Sequence, residues 1–301
     1  MENFLQQLLN GLSLGGIYAL IALGYTMVYG VLKLINFAHG DLFTIGSYIG
    51  FTLLVYFGLA DITGPLGALA VLCAVVMLSV AFLGACLERA AYRPLRHSPR
   101  LSAVVSALGA SIFLQNAVML IYGAKFHVYP QGILTKSSLY FLGLYLPIVK
   151  VFVLFVSLIV MALLYVFIQK TLTGAAIRAV AIDHRAAQLV GINVDRVVTL
   201  VFLIGPALGG LAGLMVGLLY GQITFTMGWL YGLKAFTAAI LGGIGNIPGA
   251  MLGGIILGII ESMSSAYLSV AWKDAVTFFV LILILTARPT GILGERIAEK
   301  V

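Results

Sequence analysis

Long apolar segments recur along the whole chain, and the polar and charged residues collect between them. Each segment is close to the roughly 20 residues that an α-helix needs to cross hydrocarbon. The residues within a segment are continuously apolar, whereas strands of a membrane barrel alternate apolar with polar residues. The pattern therefore predicts an all-α, polytopic membrane bundle of about eight apolar blocks. The blocks lie at about 8–31, 42–60, 64–87, 102–123, 147–168, 197–220, 234–262 and 268–287.

The composition agrees with a chain that lies mostly within a membrane. Of the 301 residues, 62% are hydrophobic and 9% are charged, and the mean hydropathy is +1.13. A globular domain contains about 25% charged residues, so this chain cannot cover a surface that faces water. We expect a single transmembrane domain over residues 1–301, in contact with the lipid bilayer.

The net charge of +7 does not require a nucleic-acid partner, because the arginines are grouped. All nine fall within the stretches 89–100, 178–196 and 288–296. Cytoplasmic loops of membrane proteins collect lysine and arginine. We therefore place the three stretches on the cytoplasmic side, which accounts for the charge without nucleic acid.

The block at 234–262 is interrupted at its centre. The chain must cross an even number of times between the second and third arginine stretches, yet three apolar blocks lie there. Glycine adopts conformations that helices exclude, and proline lacks a donor and disfavours helix before itself. We expect two halves, each too short to span, in a re-entrant or sharply broken pair of the kind found at transport pathways. The residues of the break are Gly242, Gly243, Gly245 and Pro248.

Glycines recur every four residues in the sixth block. This spacing puts them on one helix face, where another backbone can approach closely. The same spacing recurs around the break, and the packing partner lies either within this chain or on a second subunit. The two series are Gly205, Gly209, Gly213, Gly217 and Gly221, and Gly245, Gly249 and Gly253.

Polar residues within or between apolar blocks are candidates for the translocation path, because such positions are costly in a membrane. The first three of these residues have an alternative role as caps of two helix ends. The paired amides have an alternative role in helix–helix contacts, and the glutamate is either an interfacial carboxylate or a pathway or docking residue. The candidates are Asn36, His39, Asp41, Gln115, Asn116 and Glu261.

Catalytic and metal-binding motifs are absent from the sequence. There is no phosphate-binding G-x-x-x-x-G-K-[ST] loop, zinc-protease H-E-x-x-H or hydrolase G-x-S-x-G motif. We expect Ser111 to bond to its own helix backbone. Cys73 and Cys86 lie 13 residues apart in one block, too far to form a disulfide with each other. The sequence therefore predicts no catalytic residue, no metal site and no enzyme.

The stretch 174–190 is rich in alanine and has the composition of a helix, with Gly191 at the position of a helix end. Its low bulk and few charges suit insertion into a cleft of another protein. The alternative is a short amphipathic helix lying on anionic lipid.

Four long motifs suggest a family. They are "GGIYALIALGYTMVYGVLKLINFAHGDLFTIGSYIG", "ERAAYRP", "RAVAIDHRAAQLVGINVDRV" and "KAFTAAILGGIGNIPGAMLGGIILGIIE". In kind and in order, they resemble the LivH-type permeases of bacterial branched-chain amino acid ABC importers. The resemblance extends over essentially the whole chain, and only the external stretch 124–146 is divergent.

The resemblance implies an ABC importer permease fold in the bacterial inner membrane. It implies four partners: a second homologous permease, two cytoplasmic ATPase subunits and a periplasmic substrate-binding protein. No cofactor would be bound by this chain, since ATP would be used by the partner subunits. The stretch 170–196 resembles the cytoplasmic loop that couples the permease to the ATPases. The residues that would carry this role are Arg178, Asp183, Gly191, Ile192, Asn193, Asp195 and Arg196.

The external stretch 124–146 suggests where the binding protein docks. It carries Lys125 and Lys136 and no acidic residue. Such a surface attracts an acidic rim on a soluble partner.

An ion-coupled secondary transporter of amino acids or similar small polar solutes is the alternative function. Such transporters often have repeated halves and an ion-coupled site at the membrane midplane. The chain shows no repeat and almost no ionisable residue within a block. Leucine, isoleucine and valine are the substrates that the family implies, while amides, urea and other amino acids remain open.

Overall fold

The structure is a computed structural model that describes residues 2–96, 98–130, 138–141 and 144–294. The described residues form eleven α-helices and four short strands. The helices are α1 (Glu2–Leu32), α2 (His39–Val55), α3 (Leu59–Leu87), α4 (Arg100–Tyr122), α5 (Ile148–Lys170), α6 (Leu172–Ile182), α7 (His184–Leu189), α8 (Val194–Tyr220), α9 (Met227–Gly242), α10 (Ile247–Tyr267) and α11 (Lys273–Ala287). The strands are β1 (His127–Val128), β2 (Ser138–Phe141), β3 (Leu144–Pro147) and β4 (Gln222–Ile223).

Every predicted block contains a helix, which confirms the helical bundle. Within the described residues, six helices are long and apolar enough to cross a membrane, namely α1, α3, α4, α5, α8 and α10. By contrast, α2 has 17 residues and α11 has 15. Both are shorter than the roughly 20 residues of a full crossing. The second and eighth blocks are therefore not simple spans of the expected length.

Helix α1 is the centre of the bundle, with 94% of its most apolar window buried. It packs antiparallel against α10 at glycines of both helices. A Cβ atom at Gly258 would overlap the backbone of Gly15, and one at Gly254 would overlap Ala19. Membrane helices associate through close packing of this kind, because lipid supplies no hydrophobic force between them.

The glycine row of α8 packs within this chain, which answers the question that the spacing left open. Gly205 faces Gly24 of α1, and Gly209 faces His39 of α2. A Cβ atom at Gly213 would overlap the carbonyl of a residue on α2. Gly221 is not part of this packing, since it ends α8 with a φ of 70°.

The predicted break lies between α9 and α10, at residues 243–246. Gly243 and Gly245 have φ angles of 108° and 97°, which require glycine. The side chain of Asn246 caps α10 by accepting a hydrogen bond from a backbone amide at 2.9 Å. Pro248 lies in the first turn of α10, where its missing N–H costs nothing. Pro248 thus begins a helix and is not itself in the turn.

The two halves of the seventh block are longer than predicted. Helix α10 has 21 residues and is one of the six candidate spans, so the expectation that each half is too short to span is wrong for the second half. The first half begins at Met227 and not at Lys234. Lys234 marks the edge of the block in the hydropathy pattern, but helix α9 already includes the residues before it. The halves form an antiparallel hairpin, as close contacts of Gly242 with Gly249 and of Ala238 with Gly253 indicate.

The three arginine stretches lie together, at what we call the arginine end of the bundle (residues 88–96, 172–196 and 288–294). Arg93 and Arg96 form ion pairs with Asp195 at the start of α8. The His184 ring is 2.7 Å from the Val31 carbonyl in the last turn of α1. The amides of residues 292 and 293 donate to the last carbonyls of α9 at 2.9 and 3.0 Å. The common location agrees with the prediction that these stretches share one side.

The described residues of the stretch 124–146 form short strands. Strand β1 pairs with β4, and β2 pairs with β3, both antiparallel. Tyr129 is 3% exposed, and its hydroxyl donates to the Ser47 carbonyl on α2. The described residues of this stretch therefore cover α2 and α8 at the end of the bundle opposite the arginine end.

A pair of glycine substitutions tests the packing of α1 against α10. We expect Gly258→Ala to cost about 1–3 kcal/mol, because the added methyl overlaps the backbone of α1. The control is Gly109→Ala on α4, where a Cβ atom meets nothing within 4 Å. That variant gains up to about 1 kcal/mol of helix propensity. Thermal unfolding in detergent compares the two, and equal melting temperatures would contradict the packing.

Candidate functional site

The segment that joins α1 to α2 turns back into the bundle. Helix α1 ends at Leu32, yet Ala38 and His39 are both fully buried. The His39 ring lies against Gly24, which is eight residues before the end of α1. At 1.5 Å per residue, this corresponds to a depth of about 12 Å. The polar residues of this segment therefore lie inside the bundle and not at its edge.

None of the three polar residues of this segment caps α2 with a side-chain hydrogen bond, so only the helix-dipole part of the capping interpretation is seen at this helix. The N-cap of α2 is Ala38, which makes no side-chain cap bond. Asn36 accepts hydrogen bonds from the Ala38 amide at 3.1 Å and from the Tyr92 hydroxyl at 2.7 Å. Asp41 lies in the first turn of α2, where a carboxylate is favoured by the helix dipole.

His39 lies where α1, α2 and α8 cross. Its ring meets Tyr25 edge-on, with the ring centroids 4.6 Å apart. Gly24 and Gly209 leave the space that the ring fills. Among the described residues, neither ring nitrogen makes a hydrogen bond of normal geometry. A buried imidazole without such bonds loses its hydration, which makes the position costly.

Asp41 and Ser111 connect α2 to α4. The Ser111 hydroxyl donates to the Asp41 carboxylate at 2.5 Å, so it does not bond to its own helix backbone as predicted. Asp41 is 5% exposed and forms no ion pair with a residue in the described part of the chain. An intramembrane carboxylate of this kind is a candidate functional residue.

The amides of α4 lie away from this cluster of residues. Asn116 is exposed and donates to the Ile112 carbonyl of its own helix at 2.7 Å. Gln115 is half-buried. Only 11% of the most apolar window of α4 is buried, so this helix lies at the outside of the subunit.

Glu261 is part of an ionic cluster near the end of the bundle opposite the arginine end. It is 4% exposed, so it is not a carboxylate in contact with water. It accepts hydrogen bonds from the Tyr18 hydroxyl at 2.7 Å and from Lys234 Nζ at 2.6 Å. Lys234 is also 2.6 Å from Asp274, and Lys273 Nζ is 3.5 Å from Glu261. We call these four charged residues the ionic cluster.

Lys234 was not among the residues that the sequence singled out. Its side chain is 3% exposed. A lysine at the edge of an apolar block is expected to face water, so the sequence does not predict this burial. The signal that would have found it is Glu261 itself, because a carboxylate in an apolar helix needs a cation. The antiparallel α9–α10 hairpin supplies that cation.

The predicted coupling loop is two helices and not one. Asp183 separates α6 from α7, and its side chain caps α7 by accepting from the amides of Arg185 and Ala186 at 2.8 and 3.1 Å. Asn193 caps α8 in the same way, by accepting from the Arg196 amide at 3.0 Å. The expectation of one helix over 174–190 is therefore wrong, because an aspartate N-cap starts a new helix.

Other residues of the predicted loop hold it against the bundle. The Arg178 guanidinium donates to the Ile168 carbonyl near the end of α5. Asp195 pairs with Arg96, which also pairs with the buried Glu88. Gly191 has a φ of 85°, and Ile192 is half-buried.

Large apolar side chains are exposed on this loop, a feature that the sequence analysis did not single out. Four large side chains on and beside α6 and α7 are 75–91% exposed. We call them the apolar knobs. They are Leu172, Ile182, Leu189 and Val190.

The two lysines predicted to dock the binding protein are only partly covered by the structure. Lys125 is exposed just after α4, while Lys136 lies outside the described residues.

Among the described residues, no cluster of three or more metal-ligating side chains occurs. Cys73 and Cys86 both lie on α3 as free thiols.

Removing one partner of the ionic cluster should destabilise the fold. We expect Lys234→Met to cost about 3–5 kcal/mol, because Glu261 loses its closest cation in a buried site. The double variant Lys234→Met/Glu261→Gln should be more stable than the single variant. Asp195→Asn is the control, since this carboxylate is 57% exposed and such pairs contribute at most about 1 kcal/mol. Thermal unfolding measures all three, and equal losses for Lys234→Met and Asp195→Asn would contradict the role of the cluster.

Comparison with known proteins agrees with the motifs. Residues 7–285 match the family described as "Branched-chain amino acid transport system / permease component". The chain is 47% identical over 304 residues to the high-affinity branched-chain amino acid transport system permease protein LivH of Escherichia coli (strain K12), covering 99% of this chain and 98% of that protein. It is also 47% identical over 307 residues to the corresponding protein BraD of Pseudomonas aeruginosa, with the same coverage. This multi-pass membrane chain belongs to the family of branched-chain amino acid ABC transport permeases.

Proposed function

We propose that this chain is the transmembrane permease subunit of an ABC importer in the bacterial inner membrane. Together with a second, homologous permease it forms the translocation path for leucine, isoleucine and valine, which a periplasmic binding protein delivers. The observation that carries the proposal is the similarity to two branched-chain permeases at 47% identity over 99% of the chain.

The ATPase subunits dock at the arginine end in this proposal. Exposed apolar side chains at a water-facing surface mark protein interaction sites, and the apolar knobs reach exposures of 75–91%. The caps at Asp183 and Asn193 hold the knobs in a fixed arrangement. This chain binds no nucleotide and catalyses no reaction, and the partner subunits bind and hydrolyse ATP.

Contacts from the loop to three helices support a route for energy transfer. His184 contacts the end of α1, Arg178 contacts the end of α5, and Asp195 pairs with Arg96 after α3. Closure of the ATPases moves α6 and α7, and these contacts pass the displacement to α1. Such closure favours one arrangement of the helices only if the loop makes different contacts in each state.

The relatives named above are subunits of transport systems, and no finding favours an ion-coupled secondary transporter. In the ionic cluster, Lys234 and Glu261 neutralise each other, which suits a structural role better than ion coupling. Docking of the binding protein at Lys125 and Lys136 remains part of the proposal.

Reconstituted transport tests the proposed function. The chain is placed in proteoliposomes with the second permease and the ATPases, and the binding protein is added with radiolabelled leucine. We expect uptake only with ATP on the ATPase side, because the energy enters through the partner subunits. A proton or sodium gradient without ATP is the control. Uptake driven by the gradient alone would contradict the proposal.

One substitution at the apolar knobs tests ATPase docking. We expect Leu189→Asp to weaken co-purification of the ATPase subunits by at least about tenfold, since it places a charge in a buried contact. Val270→Asp is the matched control, because Val270 is 64% exposed between α10 and α11, at the opposite end of the bundle. Leu189→Asp protein that retains the wild-type amount of ATPase would rule out this docking surface.

A further inference from the structure

A small cavity of about 30 Å³ lies beside Asp41, between α2, α4 and α9. It has room for one or two groups the size of a water molecule. Its polar lining comes from Asp41 and Ser111, and the rest is apolar or aromatic. The aromatic lining residues are Phe37, Tyr25, Trp229 and Phe236.

Asp41 brings a negative charge to this cavity that nothing in the described chain neutralises. Its one side-chain hydrogen bond comes from the neutral hydroxyl of Ser111. The ionic cluster provides the contrast, because there the buried carboxylate of Glu261 and the half-buried carboxylate of Asp274 each have the Lys234 ammonium within 2.6 Å. Removing one partner of a buried ion pair is strongly destabilising, so an isolated carboxylate at this depth points to a cation from outside the chain.

The walls of the cavity suit an ammonium group. Aromatic rings attract cations through their faces, and a carboxylate adds a charge-assisted hydrogen bond. The backbones of α2 and α9 approach closely here. A Cβ atom at Gly40 would overlap the Gly228 carbonyl, and one at Gly228 would overlap the Gly40 carbonyl.

The cavity opens toward the outside of the subunit. Trp229 and Leu233 of α9 lie at this side with exposures of 58% and 36%. A ligand can therefore reach Asp41 from a path that runs along α9, without passing through the core of this chain.

We propose that Asp41 binds the α-ammonium group of the transported amino acid, while the aliphatic side chain of the substrate lies against Trp229 and Leu233. The identity of the ligand as an amino acid rests on the proposed function. The carboxylate and the aromatic walls bind the ammonium in this proposal. The exposed apolar residues of α9 contact the branched side chain.

Competition binding tests the ammonium site in the assembled complex of permeases and ATPases. Tritiated leucine is bound without the binding protein and competed with two probes. 3-Methylbutylamine keeps the ammonium of leucine and lacks its carboxylate. 4-Methylpentanoate keeps the carboxylate and lacks the ammonium. We expect 3-methylbutylamine to compete at least about tenfold more strongly. Equal competition by the two probes, or no saturable leucine binding, would overturn the proposal.

Variants locate the site at Asp41. We expect Asp41→Asn to weaken leucine binding at least about tenfold, and Ser111→Ala to keep the preference for the amine, because it retains the carboxylate. Asn116→Ala is the control, since Asn116 is exposed and, among the described residues, its side chain bonds to its own helix. If Asp41→Asn fails to assemble, the probe preference of the wild type and of Ser111→Ala decides the matter.

ATP-driven leucine uptake separates the two proposals. Absence of uptake by the wild-type complex would refute the proposed function. Wild-type uptake together with equal uptake and equal binding by Asp41→Asn would refute the ammonium site alone. Uptake that falls at least about tenfold in Asp41→Asn and is unchanged in Asn116→Ala is the expected result.

Discussion

Close backbone contact at glycines determines where every other group in this bundle can lie. Helix α1 is almost wholly enclosed, because Gly15 meets Gly258 and Gly24 meets Gly205 without intervening side chains. In lipid these contacts replace the hydrophobic force that drives packing in water. They also bring His39 against α1 and α8, and so set the depth at which α2 begins. The polar segment before α2 is buried for this reason.

Two buried polar regions differ in how their charges are balanced. In the ionic cluster, Lys234 lies between Glu261 and Asp274 and joins α9, α10 and α11. Asp41 has a neutral partner and an adjoining cavity. Charges paired within the chain hold helices together, whereas a charge left without a counter-ion is available to a ligand. This contrast is the basis for the structural role given to the ionic cluster and for the ligand-binding role proposed for Asp41.

The arginine end combines rigid attachment with an exposed apolar surface. Hydrogen bonds of His184 and Arg178 and the ion pair of Asp195 fasten this end to α1, α5 and the residues after α3. The apolar knobs on the same loop are 75–91% exposed. This combination of attachments and exposed apolar side chains is the basis of the proposed docking of the ATPase subunits.

The sequence by itself determined the helical blocks, the shared end of the arginines, the glycine turn and the family, because hydropathy, charge and turn chemistry are local properties. Tertiary structure decided that Lys234 is buried, that Ser111 bonds to Asp41, that Asp183 divides the loop and that α2 begins inside the bundle. Only the three-dimensional fold decides depth and pairing, since both depend on which helices lie side by side. Residues as distant in sequence as Ser111 and Asp41, or Lys234 and Glu261, become neighbours through packing that no local pattern records.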